Sequence, residues 1–174
     1  MKWKVLALVF LLAIPVALAL STTTTVQFNV ATVVGYTLTL PGESSVSANS
    51  TGAATTAIKF DSATGTDTNL NAEVVGGSAQ SDGTPIFSYD NTGTVNINIS
   101  VSLDSAAPAC INMTGATTYA GADTGAEIGT GNVTVVTGFT PAAAAQDWYM
   151  KADFDGCGQG DTTTRTLTSY GVQS

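Results

Sequence analysis

The chain has 174 residues, carries 13 acidic against 5 basic side chains, and contains no histidine. That excludes a Ser-His-Asp triad, a Cys-His dyad and any His-ligated zinc or haem, and leaves no electrostatic footprint for nucleic acid. With 44% apolar and 10% charged residues the composition is opposite to that of a disordered chain.

Lys2 and Lys4 precede sixteen uncharged residues, Val5 to Leu20, which contain Pro15 and pass through Ala17-Leu18-Ala19. Small residues at −3 and −1 after a short basic region and an apolar run are the pattern of a secretory signal peptide, cleaved after Ala19. A spanning helix needs about 20 apolar residues, and Pro15 disfavours an uninterrupted one. The expectation is therefore residues 1–19 as signal peptide and an exported product without a membrane anchor of its own. From Leu20 onward three basic side chains (Lys59, Lys151, Arg165) face thirteen acidic ones, a net charge of −10.

Even positions from 26 to 40 are Val26, Phe28, Val30, Thr32, Val34, Tyr36, Leu38 and Leu40, and the odd positions include Gln27, Asn29, Thr37 and Thr39. Period-two alternation over fifteen residues is a strand signal, yet a mean strand is about five or six residues long. At about 3.4 Å per residue the run would reach about 50 Å, longer than a domain of this size is wide. Two arrangements satisfy it. In one, two consecutive strands of the same subunit are joined by a bend or sheet switch near Ala31 or Gly35. In the other, Ser21–Val30 projects and pairs with the next copy, with Val26, Phe28 and Val30 as plugs, and head-to-tail repetition makes a filament.

Downstream, Thr94–Leu103 alternates throughout, with Val95, Ile97, Ile99, Val101 and Leu103 on one face and Asn96, Asn98, Ser100 and Ser102 on the other. Gly131–Phe139, Trp148–Phe154 and Thr162–Val172 follow the same pattern less regularly, and shorter runs lie at Ala57–Phe60, Leu70–Val75 and Pro85–Tyr89. Gly, Asn, Asp and Ser clusters separate them. Pro141–Gln146 is the best helical segment and is too short to stand alone. Seven to nine short strands predict an all-β fold: a single β-sandwich, jelly-roll-like or Ig-like, spanning residues 32–174.

Cys110 and Cys157 are the only cysteines and, in an exported chain, read as a disulfide closing a loop of about 48 residues. Four Asn-x-Ser/Thr sequons begin at Asn49, Asn98, Asn112 and Asn132, which are candidate glycan acceptors. The segment Asp153–Asp161 is acidic and glycine-rich, but its spacing departs from a calcium loop; a solvated turn pinned by Cys157 is the better account. Trp148 and Tyr149 are candidates for stacking on a sugar, although Trp148 fits better as a core anchor ahead of Met150, Ala152 and Phe154. Glu43, Glu73 and Glu127 lie in scattered contexts with no acid/base motif around them, so no catalytic, cofactor or metal residues are assigned and the chain is not expected to be an enzyme. Lys59 and Lys151 lie in strand contexts, which alone makes them candidates for Lys–Asn crosslinks of the kind found in some surface pilins.

A leader with a signal-peptidase site, the strand Ser21-Thr-Thr-Thr-Thr-Val26-Gln-Phe28-Asn-Val30 and a small Thr/Ala/Gly-rich β domain together resemble archaeal surface filament subunits. The nearest are bundling-pilus and thread subunits, related to the bacterial biofilm matrix protein TasA. The resemblance covers the layout of the whole exported chain and rests on no short diagnostic motif. It implies a jelly-roll-like subunit whose residues 20–31 form a donor strand, with Thr22, Thr24, Val26, Phe28 and Val30 entering the neighbouring subunit. It further implies an extracellular homopolymer at the cell surface, as in biofilm or cell–cell contact. Family members also bundle laterally, but whether this chain does is not carried over. The expectation of no nucleic-acid or membrane partner rests on the charge and the signal segment. The other function considered is a secreted monomeric Ig-like or carbohydrate-binding module.

Overall fold

The computed structural model describes residues 22–30, 35–40, 46–47, 53–75, 77, 79–158 and 163–174. The signal-peptide segment, Asn49 and Asp161 lie outside the described residues. Thirteen strands are present among them: β1 Thr22–Val30, β2 Tyr36–Thr39, β3 Val46–Ser47, β4 Ala53–Ser62, β5 Leu70–Asn71, β6 Glu73–Val74, β7 Phe87–Asn91, β8 Ile97–Leu103, β9 Ile111–Ala116, β10 Ala126–Glu127, β11 Val133–Phe139, β12 Gln146–Phe154 and β13 Thr163–Gln173. Two sheets pack face to face. One has the order β11-β8-β13-β1-β4-β6; the other has the order β10-β9-β12-β7-β2-β3, with β5 also paired to β12. The fold is an all-β sandwich, as the strand periodicity predicts.

The alternating residues fill the space between the sheets. Ile97, Ile99, Val101 and Leu103 of β8 are buried, as are Trp148, Met150, Ala152 and Phe154 of β12, and both rows join one core with Tyr36, Leu38, Ile58, Phe60, Phe87, Tyr89 and Leu167. At about 25 cal/mol per Å² of apolar surface removed from water, these rows supply the main drive for folding. Strand β12 departs from simple alternation: Tyr149 and Lys151 of its other face are buried too. The 3-10 turn Ala120–Thr124 lies against this strand, with the Tyr119 ring packing edge-on to Tyr149 at 5.9 Å.

Three local features add to the sequence reading. Pro141–Gln146, too short to stand alone as a helix, is not helical: Ala142 has φ 60° and Gln146 already opens β12. Strand β9, absent from the runs named above, alternates Ile111, Met113 and Gly115 inward with Asn112 and Thr114 outward and pairs with β12 over six residues. Leu70–Val75 is two short strands in different sheets, since β5 pairs with β12 and β6 with β4.

The cysteines form the expected disulfide, Cys110–Cys157, with Cα atoms 5.3 Å apart. It ties the turn ahead of β9 to the turn after β12. Backbone hydrogen bonds reinforce it, from Asp155 N to Cys110 O at 2.8 Å and from Cys157 N to Gly65 O at 3.0 Å. Gly65 has φ +75°, and a Cβ there would lie 2.4 Å from Cys157 O, so this close approach requires glycine.

Candidate functional site: the slot of the N-terminal strand

The fifteen-residue alternation divides between the two sheets. Its first part is β1, in the six-stranded sheet; its second is β2, in the other. Gly35 stands at the crossing with φ +25°, and a Cβ on it would lie 2.7 Å from Gly93 Cα, so both its conformation and its surroundings call for glycine. The bend near Gly35 is thus present within one chain. In this single chain Thr22–Val30 pairs with β4 and β13 of its own domain.

Strand β1 is held on both sides. It runs antiparallel to β4, with Thr24 opposite Phe60 and Val26 opposite Ile58, and a register shift between Gln27 and Asn29. On its other side it runs parallel to β13, with Val26 opposite Arg165, Phe28 opposite Leu167 and Val30 opposite Ser169. Positions 24, 26 and 28 are thus register partners of Phe60, Ile58 and Leu167, three residues that are themselves buried. The five donor positions expected from sequence, Thr22, Thr24, Val26, Phe28 and Val30, all lie within this strand. Among the described residues the β1–β13 ladder is the single parallel one. Parallel pairing is slightly weaker per residue than antiparallel. Among the described residues no other strand bridges β13 and β4, so β1 fills the slot between them.

The floor of the slot is anchored independently of β1. The Tyr36 hydroxyl donates to the Ser169 carbonyl at 3.0 Å and lies 3.2 Å from Ser169 Oγ, joining β2 of one sheet to β13 of the other through the interior. Burial pushes the Tyr36 pKa above the ordinary tyrosine value, and the Ser169 hydrogen bond offsets part of that rise. Tyr89, fully buried beside it, is pushed further in the same direction by desolvation, again opposed in part by Ser169. At the open end of β13, Thr166 N donates to Asp104 Oδ1 at 3.1 Å and Asp104 N donates to Thr166 O at 2.9 Å. The Thr166 N–H holds the Asp104 carboxyl below the usual carboxylate range. Arg165 is fixed alongside, with Nε donating to Ala106 O at 2.8 Å.

The remaining sequence candidates separate. Asn112 and Asn132 are exposed; Asn98 is half-buried, and its Oδ1 accepts the Gly138 N–H at 2.8 Å. Asp153 Oδ1 accepts the Asn69 N–H at 2.6 Å, and among the described residues no three acidic or cysteine side chains gather as a metal site. Trp148 and Tyr149 are buried and present no stacking face to solvent. A cleft of about 280 Å³ beside the disulfide loop is lined by Ala106, Pro108, Ile111, Met113, Glu127 and Ile128, among others, with Glu127 as its one carboxylate and no aromatic ring. Glycoside hydrolysis by the usual route needs a pair of carboxylates, which this cleft lacks.

Compared with protein-family models, with curated proteins and with solved structures, the chain matches none.

Proposed function

We propose that the chain is a structural subunit of an extracellular filament, in which β1 of each copy fills the slot between β4 and β13 of the next. The observation that supports this is the placement of β1 itself. It is the first described strand, it is bonded on both edges along its length, and it joins the rest of the domain through the Gly35 crossing. With residues 1–19 removed, as the signal-peptide reading expects, β1 leaves its slot without threading any loop. Exchanging an identical element between copies preserves every main-chain hydrogen bond, and this makes strand exchange a low-cost route to association. The five residues from Ala31 to Gly35 span up to about 17 Å when extended, enough to carry β1 away from its own slot. A head-to-tail exchange of this kind does not close on itself and grows as a fibre.

A second reading has its own support. In the single chain β1 completes its own sheet, as expected of a secreted monomeric Ig-like or carbohydrate-binding module. Electron microscopy of the refolded chain from Leu20, beside a version lacking residues 20–30, separates the two. The filament reading requires fibres with a regular repeat from the first and none from the second. Monomers alone from the first, or normal fibres from the second, defeat it.

A further inference from the structure

Lys151 is an unusual lysine: it is 6% exposed, on the central strand β12. Its ammonium group lies 4.2 Å from the centre of the Tyr119 ring and is ion-paired to Asp123, which follows on the same 3-10 turn. Directly across the ladder, Asn71 of β5 is the register partner of Lys151. Opposed residues of an antiparallel pair have Cβ atoms about 4.5–5.5 Å apart. The Asn71 side chain turns to the same ring, with Nδ2 donating to the Tyr119 hydroxyl at 3.0 Å. Its Oδ1 is buried and finds no hydrogen-bond partner among the described residues, an arrangement that is costly when nothing compensates it. An amine, an amide with its carbonyl oxygen unpaired, and a carboxylate in contact with the amine thus meet around one tyrosine.

We propose that Lys151 and Asn71 form an intramolecular isopeptide bond, with Asp123 as proton carrier and Tyr119 positioning the amide. Asp123 takes a proton from the Lys151 ammonium, and the freed Nζ lone pair attacks Asn71 Cγ. The protonated Asp123 then supplies the hydrogen bond that Oδ1 lacks, stabilising the tetrahedral intermediate. Collapse breaks the Cγ–Nδ2 bond, and Nδ2 leaves as ammonia, carrying away the transferred protons as ammonium. The Nζ–Cγ bond replaces the Cγ–Nδ2 bond, so the step is balanced without an oxidant or a co-reactant. Asp123 is 40% exposed, which opens a route for ammonia to leave. The product links β5 to β12 in the same sheet as the Cys110–Cys157 clamp, and it replaces a buried charge by a neutral amide.

Lys59 lacks this environment. Its neighbours are the carboxylates of Asp61 at 2.5 Å and Glu73 at 3.5 Å, and it is partly open to solvent. The inference concerns one chain and does not rest on the filament reading.

Intact mass and protease mapping of the folded chain test it. The expected mass is lower than that of the disulfide-bonded sequence by one ammonia, with the peptide carrying Asn71 joined to the peptide carrying Lys151. Asp123→Ala and Asn71→Ala are each expected at full mass with these peptides separate, circular dichroism confirming that they fold. The wild-type map decides the matter even where a variant does not fold. Separate Asn71 and Lys151 peptides from folded wild-type chain overturn the proposal, and so does loss of one water with Lys151 joined to Asp123.

Discussion

The hydroxyl of Tyr36, the residue directly after the Gly35 crossing, donates to the carbonyl of Ser169, the β13 residue opposite the last residue of β1. One hydrogen bond across the interior thus fixes the second half of the N-terminal alternation to the strand that the first half lies against. On the filament reading, this contact is expected to hold the start of β2 whether β1 comes from the same chain or from another.

Tyr36→Phe removes that bond while keeping the ring in the core. Equilibrium denaturation is expected to show a loss of about 1 kcal/mol, the usual net worth of one such hydrogen bond. An unchanged midpoint would mean that the two sheets are not tied at this point.

Stability is expected to fall at both ends of the pH scale. Tyr36 and Tyr89 have raised pKa values in the folded state, so their contribution is complete below the unfolded tyrosine value of about 10 and is lost as pH rises beyond it. Tyrosinate absorbance of these two is expected to appear together with unfolding, not before it. Asp104 and Asp67 are held low, by the Thr166 N–H and by the Ser62 hydroxyl respectively. Their contribution is present above the unfolded aspartate value of about 3.9 and disappears as pH falls through their folded values. A melting temperature that stays flat from pH 3 to 12, or roughly so, would contradict both assignments.

Gly115→Ala tests the packing of β9. A Cβ at this position would lie 2.5 Å from the Trp148 ring, so the indole must shift within a dense core. Overpacking of this kind costs about 1–3 kcal/mol. Denaturant unfolding followed by tryptophan fluorescence reads both the loss and the displaced ring.

Most of the sandwich is legible in the sequence because half-buried strands alternate. Ile97 to Leu103 and Trp148 to Phe154 place their apolar rows inward as the pattern requires. The parts that escape are those where another element overrides the alternation. Lys151 and Tyr149 lie on what periodicity makes an outer face, and the turn at Tyr119–Thr124 covers them. Strand β9 is hidden by Gly115, whose small size serves Trp148 rather than strand formation. Pro141–Gln146 is the converse case: four alanines favour a helix locally, the segment is too short to hold one, and pairing of Gln146 with Tyr89 claims its end for β12. The slot was legible as an overlong alternation, but its two walls were not. Pairing of β1 with β4 and β13 joins segments far apart in the chain, and no local signal encodes such contacts. The Lys151–Asn71–Asp123 cluster is barely legible, since strand context alone marks Lys151 no more than Lys59, and its partners are set only by register and by the 3-10 turn.

The disulfide is expected to carry a large share of stability in the β9–β12 half. Closing a loop of this length is worth about 4 kcal/mol in the chain-entropy account. Cys110→Ala with Cys157→Ala is expected to lower the melting temperature strongly while leaving the pairing of β1 with β4 and β13 intact, as hydrogen exchange can verify. Loss of protection in β1 equal to that in β9 would show that the two regions unfold as one unit.

The exchange of β1 between copies is tested most directly by a covalent trap. Gln27 of β1 and Ala57 of β4 are register partners, and Gln27→Cys combined with Ala57→Cys places two thiols across that pair. Oxidised material assembled from the doubly substituted chain, run on a denaturing gel without reductant, is expected to form a ladder of covalent multimers, because each bond joins β1 of one subunit to β4 of the next. A single band at the monomer position, with the new disulfide formed inside one chain, would contradict strand donation.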